Sequence, residues 1–385
     1  MARMSAAGHR DCGGGAMSEM ATQGAIRSEG GTANPPMRGA AVPVVSGAAG
    51  ETVLSVRDLK VHFRVPRGAY PWSSKATLRA VEGITFDVRR GETVGLVGES
   101  GCGKSTLARA IVGLTPVTAG SVRWRETETV RDDGQRPAAA MERLRKDVQM
   151  VFQDPLASLD PRMTIEQIVA EPLKVQRPGL GRDEIHARVV TMLERVGLGK
   201  HHLSRYAHEF SGGQCQRIGI ARALVGEPQL VICDEPVSAL DVSIQAQIVN
   251  LLRDLQRELS LSLLFVAHDL AVVKAISHRV LVMYLGRVME LGTKREVYGS
   301  PQHPYTRALL SAVPRPDPAT ERTRKHAVLS GEMPSPLNLP SGCAFRTRCP
   351  EAIGACAEEV PLSISRGTGD RRVACIRVGT ATTPV

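Results

Sequence analysis

The sequence has 385 residues, of which 42% are apolar and only 3% are aromatic, so it can form two or three domains around an aliphatic core. Its formal net charge is +10, but the basic residues are scattered and have no interleaved aromatics. This pattern argues against a nucleic-acid-binding surface. No apolar run reaches the roughly 18 residues of a membrane span, and the N-terminus lacks the apolar stretch of a secretory signal. We therefore expect a soluble, cytoplasmic chain.

The chain is predicted to begin with a disordered extension that precedes a β subdomain. Residues 1–50 are rich in Gly, Ala, Ser and Met and show neither the period of strands nor that of helices. Beyond them, short stretches alternate between apolar and polar residues, which is typical of half-buried strands. These stretches are residues 54–57, 61–65, 79–81 and 84–88.

A glycine-rich loop carries the strongest chemical signal. It follows an apolar strand at 93–97, precedes a helix at 107–112, and fits the phosphate-binding pattern G-x-x-x-x-G-K-[ST]. Its glycines let backbone N–H groups approach a phosphate, and the positive end of the helix adds to the attraction. Lys104 is predicted to reach the β- and γ-phosphates, and Ser105 to ligate Mg²⁺. The loop consists of Gly98, Glu99, Ser100, Gly101, Cys102, Gly103, Lys104, Ser105 and Thr106.

Beyond this loop, the pattern changes from strands to helices. Strands are predicted at 120–124 and 148–152, with an exposed polar loop at 126–138. Gln153 ends the second strand, and apolar residues then recur at helical spacing from 164 to 206. We expect Pro172 and the Pro178–Gly179 pair to break this stretch into separate helices. The result is a small helical subdomain within an α/β frame.

Two carboxylates stand at the end of a buried strand. Residues 230–233 are apolar and are followed by Asp234 and Glu235, and a later strand at 263–267 delivers His268. Acids at the carboxyl end of a buried parallel strand are available to a ligand. The flanking elements are a glycine turn at 210–214 that opens a helix, a loop at 238–241, a helix at 244–259 and a hairpin at 280–291 that turns at 285–286.

Four cysteines stand together near the C-terminus, at Cys343, Cys349, Cys356 and Cys375. Their spacing, C-x5-C-x6-C-x18-C, is not the paired C-x2-C of zinc ribbons. It allows four thiolates to converge on one ion or on a [4Fe–4S] cluster. The alternative is four reduced cysteines in a small accessory domain. Cys102 and Cys233 are expected to fill small sites, although Cys102 beside a helix start could also be a reactive thiolate.

In this order, residues 53–300 resemble the ATP-binding cassette (ABC) family. The resemblance implies an α/β P-loop NTPase fold with a RecA-like core, an antiparallel β subdomain and an inserted helical subdomain at about 156–214. It also implies the identity of each motif. These are Walker A at 98–106, the Q-loop at Gln153, the signature at Ser211, Gly212, Gly213 and Gln214, Walker B at 230–235, the D-loop at 238–241 and the switch histidine at His268.

The same resemblance implies a role for each site residue in ATP hydrolysis. Ser105 and Asp234 would hold Mg²⁺, Gln153 would sense the cation and the attacking water, and Glu235 would be the general base, oriented by His268. The signature would act on ATP bound by a second cassette, and Asp241 would contact that partner's Walker A. Phe63 would stack on adenine, with Tyr70 and Trp72 as alternatives.

Three stretches narrow the resemblance to the ATPase subunits of oligopeptide, dipeptide and nickel importers. They are residues 210–224, 235–247 and 301–309. The Glu-Pro-Val-Ser form at 235–238 is similar to that of the F-type subunit, one of the two ATPases in such importers. The resemblance implies a cassette at 51–300 and an oligopeptide-transporter-type C-terminal domain at 301–385. Some subunits of this type carry an iron–sulfur cluster in that domain, so the resemblance favours a cluster over zinc at the four cysteines. It also implies a second ATPase subunit (identical or a sister chain), two permeases and an extracytoplasmic solute-binding protein. The chain would then be peripheral, at the cytoplasmic face of the inner membrane.

Peptide import is therefore the predicted function, and three alternatives stay open. A nickel or other solute importer would use the same type of ATPase, because solute selection resides largely in the binding protein and permeases. A soluble cassette ATPase acting on DNA or ribosomes is disfavoured by the compact helical insert between Lys104 and Ser211, which has no heptads. A non-hydrolysing subunit is disfavoured by the presence of Glu235 and His268.

Overall fold

The computed structural model of the chain describes residues 50–66, 74–313, 331–365 and 370–378. The predicted disorder of the N-terminal segment up to residue 49, and the adenine-site alternatives Tyr70 and Trp72, lie outside these residues. The described residues from 50 onwards belong to one compact unit.

The β subdomain is a four-stranded antiparallel sheet in the order β2-β1-β4-β5. Its strands are β1 (Thr52–Pro66), β2 (Lys75–Arg89), β4 (Ala119–Trp124) and β5 (Thr127–Val130). The four short stretches predicted at its start are in fact two long strands, because β1 and β2 pair along their whole length through several bulges.

The predicted loop at 126–138 is wrong, since it contains β5. Thr129 and Val130 of that strand are fully buried, and the Thr129 hydroxyl donates to the Val122 carbonyl at 3.1 Å. Burial of these two consecutive side chains holds this polar stretch in the sheet, which composition alone did not indicate.

Among the described residues, the second sheet has eight strands, and it forms the core on which the site is built. Its order is β11-β12-β10-β9-β3-β8-β7-β6, and the five strands from β9 to β6 are parallel. The strands are β3 (Thr93–Val97), β6 (Val148–Val151), β7 (Leu230–Asp234), β8 (Ser262–Ala267), β9 (Arg279–Tyr284), β10 (Arg287–Thr293), β11 (Ile364–Ser365) and β12 (Arg372–Val373). The predicted hairpin between β9 and β10 is confirmed. Its two turn residues, Leu285 and Gly286, have φ of 44° and 75°, as a tight two-residue turn requires.

Both faces of this sheet are covered, which explains the continuous apolar runs of its parallel strands. Along β7, Leu230 and Ile232 pack in one cluster together with the β subdomain. Val231 and Cys233 pack on the other face, in a cluster shared with the helical subdomain and the C-terminal region. The carboxyl ends of the parallel strands lie between these two cores, at one sheet edge.

Helices connect and cover the strands. They are α1 (Lys104–Val112), α2 (Ala138–Asp147), α3 (Ile165–Gln176), α4 (Arg182–Arg195), α5 (Gly212–Leu224), α6 (Val242–Glu258), α7 (Leu270–Ile276), α8 (Lys294–Gly299), α9 (Pro304–Ser311) and α10 (Ala355–Glu358). Short 3₁₀ turns occupy Lys200–His202 and Ala207–Glu209. Within the described ranges, no helix is both long enough and apolar enough to cross a membrane.

The predicted helical subdomain is present, but Pro172 does not break it. Pro172 lies inside α3, where Ile168, Val169 and Leu173 are buried around it. A proline in a helix costs about 3 kcal/mol, and burying three large aliphatic side chains contributes about 1.5–3 kcal/mol each. The Pro178–Gly179 pair does end the helix, as predicted, because α4 begins only at Arg182.

The C-terminal region adds β11 and β12 to the edge of the core sheet beside β10. A buried ion pair fixes it there, because Arg371 Nη2 lies 2.7 Å from Glu290 Oε1. The same carboxylate accepts the backbone N–H groups of Gln302 and His303 at the start of α9. The region therefore packs directly onto the sheet that carries the site.

Candidate active site

The phosphate loop joins β3 to α1 at the carboxyl edge of the core sheet. Gly103 has φ of 102°, and a Cβ at this position would lie 2.1 Å from the Ala80 carbonyl, so the turn requires glycine. Lys104 is only 4% exposed, and its Nζ donates to the carbonyls of Gly98 at 2.9 Å and Glu99 at 3.1 Å. The ammonium group is thus held against the loop that would surround a phosphate.

Asp234, the last residue of β7, meets the start of α1. The Ser105 hydroxyl donates to Asp234 Oδ1 at 2.6 Å, and Arg109 Nη2 lies 3.6 Å from Oδ2. Asp234 is fully buried, and burial raises the pKa of its carboxyl against the opposing effects of Ser105 and Arg109. Its Oδ2 accepts no hydrogen bond within the described part of the chain. An unsatisfied buried carboxylate oxygen beside a hydroxyl fits Mg²⁺, which prefers oxygen ligands.

Glu235 follows directly and points into a different environment. Its φ of 47° is rare for a residue with a side chain, and it turns the chain away from the strand. One carboxylate oxygen lies 3.8 Å from Lys104 Nζ. The other accepts from Gln153 Nε2 at 3.1 Å and lies 3.5 Å from His268 Nδ1. The structure therefore brings together the four residues assigned to catalysis from the sequence.

A cavity of about 300 Å³ opens beside these groups, which is large enough for a small ligand. Phe63, the predicted adenine platform, lines it together with the phosphate loop. Its other lining residues are Leu78, Arg79, Ala80, Ser100, Gly101, Gly103, Lys104, Ser105, Thr106, Gln153, Glu235, Leu285, Gly286 and Pro336.

The signature and D-loop residues do not line this cavity in the described structure. Ser211 is exposed and caps α5: its hydroxyl accepts from Gln214 N–H at 3.4 Å, and its own N–H donates to Gln214 Oε1 at 3.0 Å. Gly213 lies close to α6, where a Cβ would lie 2.7 Å from Ile244 Cγ2. Asp241 is exposed at the start of α6. One chain thus presents these residues outward rather than to its own phosphate loop.

The four C-terminal cysteines line one very small cavity, of about 10 Å³, together with His303 and Phe345. Burial raises the pKa of the Cys343 thiol and raises that of Cys349 to about 11. Among the described residues, no group of three or more His, Cys, Asp or Glu side chains is placed to hold a metal ion. The thiols are therefore the right donors for a metal, but their positions here do not form a metal site. The remaining lining cysteines are Cys356 and Cys375.

The buried cysteines of the core fill space. Cys102 is 1% exposed, and burial raises the pKa of its thiol despite the nearby Lys104. Cys233 is fully buried, and burial raises its pKa to about 12. A reactive thiolate at Cys102 is therefore wrong, because desolvation outweighs the helix start and the lysine.

Two polar contacts of the site were missed from the sequence. Arg109 lies four residues after Ser105 on α1, so it lies on the same helix face and contacts Asp234. This spacing could have indicated the contact from the sequence. Arg348 forms an ion pair with Glu99 of the phosphate loop across 249 residues. No local pattern signals such a contact.

Comparison with known proteins places these residues in context. A model described as ABC transporter matches residues 81–238, and a model of the oligopeptide/dipeptide transporter C-terminal region matches residues 289–356. The oligopeptide transport ATP-binding protein OppF of Salmonella typhimurium is 57% identical over 329 residues, which are 85% of this chain and 97% of that protein. OppF of Haemophilus influenzae is 54% identical over 85% of this chain and 98% of its own length.

Two solved structures of ABC ATP-binding proteins are also similar to this chain. The dimeric ATP-binding cassette MJ0796, in a post-hydrolysis state bound to ADP and Pi, has a TM-score of 0.55 and 25% identity, covering 63% of this chain and 99% of that one. The cassette cbiO1 of Clostridium perfringens, part of the ABC transporter complex cbiONQ, has a TM-score of 0.55 and 30% identity over 65% of this chain and 92% of its own.

Proposed function

Because this chain belongs to the ATP-binding subunits of ABC transporters of the oligopeptide and dipeptide type, we propose that it drives peptide import by hydrolysing ATP at the Lys104–Asp234–Glu235 site. The family and the cassette fold predicted from the motifs are confirmed. The observation that carries the mechanism is the position of Glu235, which lies within 4 Å of Lys104, Gln153 and His268.

Phosphate binding is assigned to the loop and its lysine. Lys104 and the backbone N–H groups at the start of α1 would neutralise the β- and γ-phosphates. Ser105 and Asp234 would hold Mg²⁺ together with Gln153, and the bound cation would neutralise charge on the phosphate oxygens. Asp234 supports this role because its buried Oδ2 accepts no hydrogen bond from the described residues. Phe63, which lines the same cavity, would stack on adenine.

Proton transfer is assigned to Glu235. It would accept a proton from the water that attacks the γ-phosphate, which requires a charged carboxylate at hydrogen-bonding distance from that water. Gln153 and His268 contact the same oxygen of Glu235 and would fix its orientation. The side chain of His268 is 53% exposed, which leaves it room to reach the γ-phosphate.

The homologous ABC ATPases imply a dimer of cassettes that acts with membrane permeases. The signature and D-loop residues of this chain would act in such a dimer. Ser211 and Gly213, at the start of α5, would offer a hydroxyl and N–H groups to the γ-phosphate bound by the partner. Asp241 would contact the partner's Walker A loop. The exposure of Ser211 and Asp241, and the absence of all three residues from the described cavity, support this arrangement.

A groove beside Gln153 supports a permease partner. It is lined by residues that include Gln153, Leu156 and Val175, and the last two are 50% and 75% exposed. Exposed apolar side chains in a groove mark an interaction surface. A permease segment seated there would contact Gln153 directly, which couples permease position to the Glu235 hydrogen bond. The chain would then lie peripherally at the cytoplasmic face of the inner membrane.

The cysteines carry a narrower proposal, that they bind a [4Fe–4S] cluster, with zinc as the second choice. It is supported by four thiols around one cavity, which must widen to receive a cluster because its volume is near that of one water. Anaerobically purified protein would show visible absorbance and bound iron, both lost in Cys349→Ser. Colourless protein without iron or zinc would leave four structural thiols.

Peptide is the favoured solute, because the similar proteins named for their cargo are oligopeptide transport subunits. A nickel or other solute importer is the second candidate, because the described residues of the nucleotide site would contact ATP and not the transported solute. A solute-binding protein is expected outside the membrane in either case, and its ligand distinguishes them.

The decisive experiment is a pull-down from native membranes with tagged Glu235→Gln protein and ATP. Two permeases, a second ATPase and a solute-binding protein should be recovered, and that binding protein can be screened against peptides and nickel. Val175→Glu in the same chain should reduce permease recovery, whereas the equally exposed Leu362→Glu should not. Recovery of only soluble or nucleic-acid-bound partners would overturn the transport function.

A further inference from the structure

Glu99, the second residue of the phosphate loop, is bonded on three sides. Both of its carboxylate oxygens lie 2.9 Å from Nη1 of Arg348. Its backbone N–H donates to the Tyr305 hydroxyl at 3.1 Å, and its carbonyl accepts from Lys104 Nζ at 3.1 Å. One residue therefore connects the C-terminal region to the lysine that would bind phosphate.

The Arg348 end of this connection is buried and supported by aromatic rings. The Arg348 side chain is 7% exposed and Glu99 is 26% exposed, so water screens the pair poorly. The guanidinium carbon lies 5.9 Å from the centroid of the Tyr284 ring. Tyr284, Tyr305 and Phe345 are fully buried and pack against one another with centroids 4.7–5.4 Å apart. The arginine is thus held in place independently of any ligand.

The charge of Glu99 creates a difficulty that this arginine resolves. A carboxylate in a loop that surrounds a polyphosphate repels the ligand at short range. Arg348 compensates that charge, and a second C-terminal residue, Pro336, lines the same cavity as Ser100 and Gly101. Two separate contacts therefore place the C-terminal region at the nucleotide site.

We propose that Arg348 is a positioning residue for ATP binding, which acts by neutralising the charge of Glu99 in the phosphate loop beside Lys104. Nucleotide affinity then depends on the C-terminal region, and the region is part of the nucleotide site rather than an appendage. This inference rests on the proposed binding of ATP at the loop. It assigns to Arg348 no contact with the nucleotide itself.

The test is a set of variants that change the charge of Arg348, of Glu99 or of both. The measured quantity is the Kd of a non-hydrolysable ATP analogue with Mg²⁺. Arg348→Met leaves Glu99 uncompensated and should weaken binding about tenfold. Glu99→Gln leaves a positive charge beside the loop and should tighten binding about threefold. The double variant is neutral, like the natural pair, and should return to within about threefold of the unaltered chain. The loss in Arg348→Met should be smaller for ADP, which carries less charge.

A matched control comes from a second ion pair between α9 and the C-terminal region. Arg307 Nη2 lies 2.8 Å from Glu351, and neither residue lines the described nucleotide cavity. Arg307→Met should bind the analogue within twofold of the unaltered chain. Thermal unfolding checks the fold of every variant, and Arg348→Gln replaces Arg348→Met if the latter does not fold.

The order of affinities decides the inference. A structural role alone would weaken binding in all three variants, and such a result overturns it. Unchanged affinity in a folded Arg348→Met or Arg348→Gln protein, or no rescue by Glu99→Gln, overturns it as well. Failure of the unaltered chain to bind the analogue would instead refute the proposed ATP site.

Discussion

Lys104, Asp234 and Glu235, which would act on ATP within this chain, have side chains that are at most 12% exposed, whereas Ser211 and Asp241, which would face ATP bound by a partner, are exposed. We call the first set the buried half and the second set the exposed half of the site. Lys104 and Asp234 are 4% and 0% exposed, and Ser105 joins the loop to β7. Ser211 and Asp241 are exposed, and the hydroxyl of Ser211 bonds only Gln214 among the described residues.

This difference separates two kinds of defect. Folding of one chain assembles the buried half, so changes there should alter nucleotide binding, hydrolysis or stability in an isolated subunit. The exposed half acquires its ligand only when a second cassette arrives, so changes there should affect hydrolysis in the assembly and little else. Each of the following changes tests that separation.

The largest effect is expected for Glu235→Gln, in the buried half. The amide cannot accept the water proton, so turnover by the assembled transporter should fall at least about 100-fold while ATP binding persists. Phosphate release and equilibrium nucleotide binding measure the two quantities. Glu227→Gln, an exposed glutamate with a similar positive φ, is the control and should retain normal turnover. Turnover within tenfold of normal in Glu235→Gln would remove Glu235 as the base.

The exposed half is tested by Ser211→Arg. A bulky cation in place of the hydroxyl should lower turnover of the assembly about 100-fold, because γ-phosphate stabilisation from the partner is lost. The isolated subunit should still bind ATP within twofold, since Ser211 does not line its described cavity. Thr191→Arg, an exposed position on α4, should change neither quantity. Weakened ATP binding by the isolated Ser211→Arg subunit would contradict the separation.

Asp234→Asn tests how much the buried carboxylate of Asp234 lowers the free energy of unfolding. Burial raises the pKa of Asp234, so its charged form opposes folding, and this penalty is fully present once the pH exceeds the folded-state pKa. The amide should therefore stabilise the nucleotide-free chain by about 1 kcal/mol at pH 8 and less at pH 4. Urea unfolding at the two pH values measures this, and added Mg²⁺–ATP should no longer stabilise the variant. Destabilisation at pH 8 would show that Arg109 and Ser105 outweigh burial.

The sequence predicted the buried half well because its residues stand at the ends of parallel strands. Ser105 and Asp234 were predicted to hold the same Mg²⁺ ion, and the structure brings them into contact across 129 residues because strand ends in a parallel sheet share one edge. The pair Arg348–Glu99 follows no such rule, since Arg348 lies in an irregular segment placed by aromatic packing. Pro172 and β5 were misassigned for a related reason, because tertiary burial outweighed local propensity.

The smallest effect on stability is expected for Asp241→Ala. This variant compares two residues of the exposed half, Asp241 and Ser211. Asp241 occupies the N-cap position of α6, but its side chain makes no capping hydrogen bond in the described structure. Its removal should therefore cost the isolated chain no more than about 0.5 kcal/mol, against about 1 kcal/mol for Ser211→Ala, which loses a capping hydroxyl. Urea unfolding of both variants measures the difference. If Asp241→Ala instead cost as much as Ser211→Ala, Asp241 would serve its own helix, and any loss of turnover in that variant could not be attributed to the partner's Walker A loop.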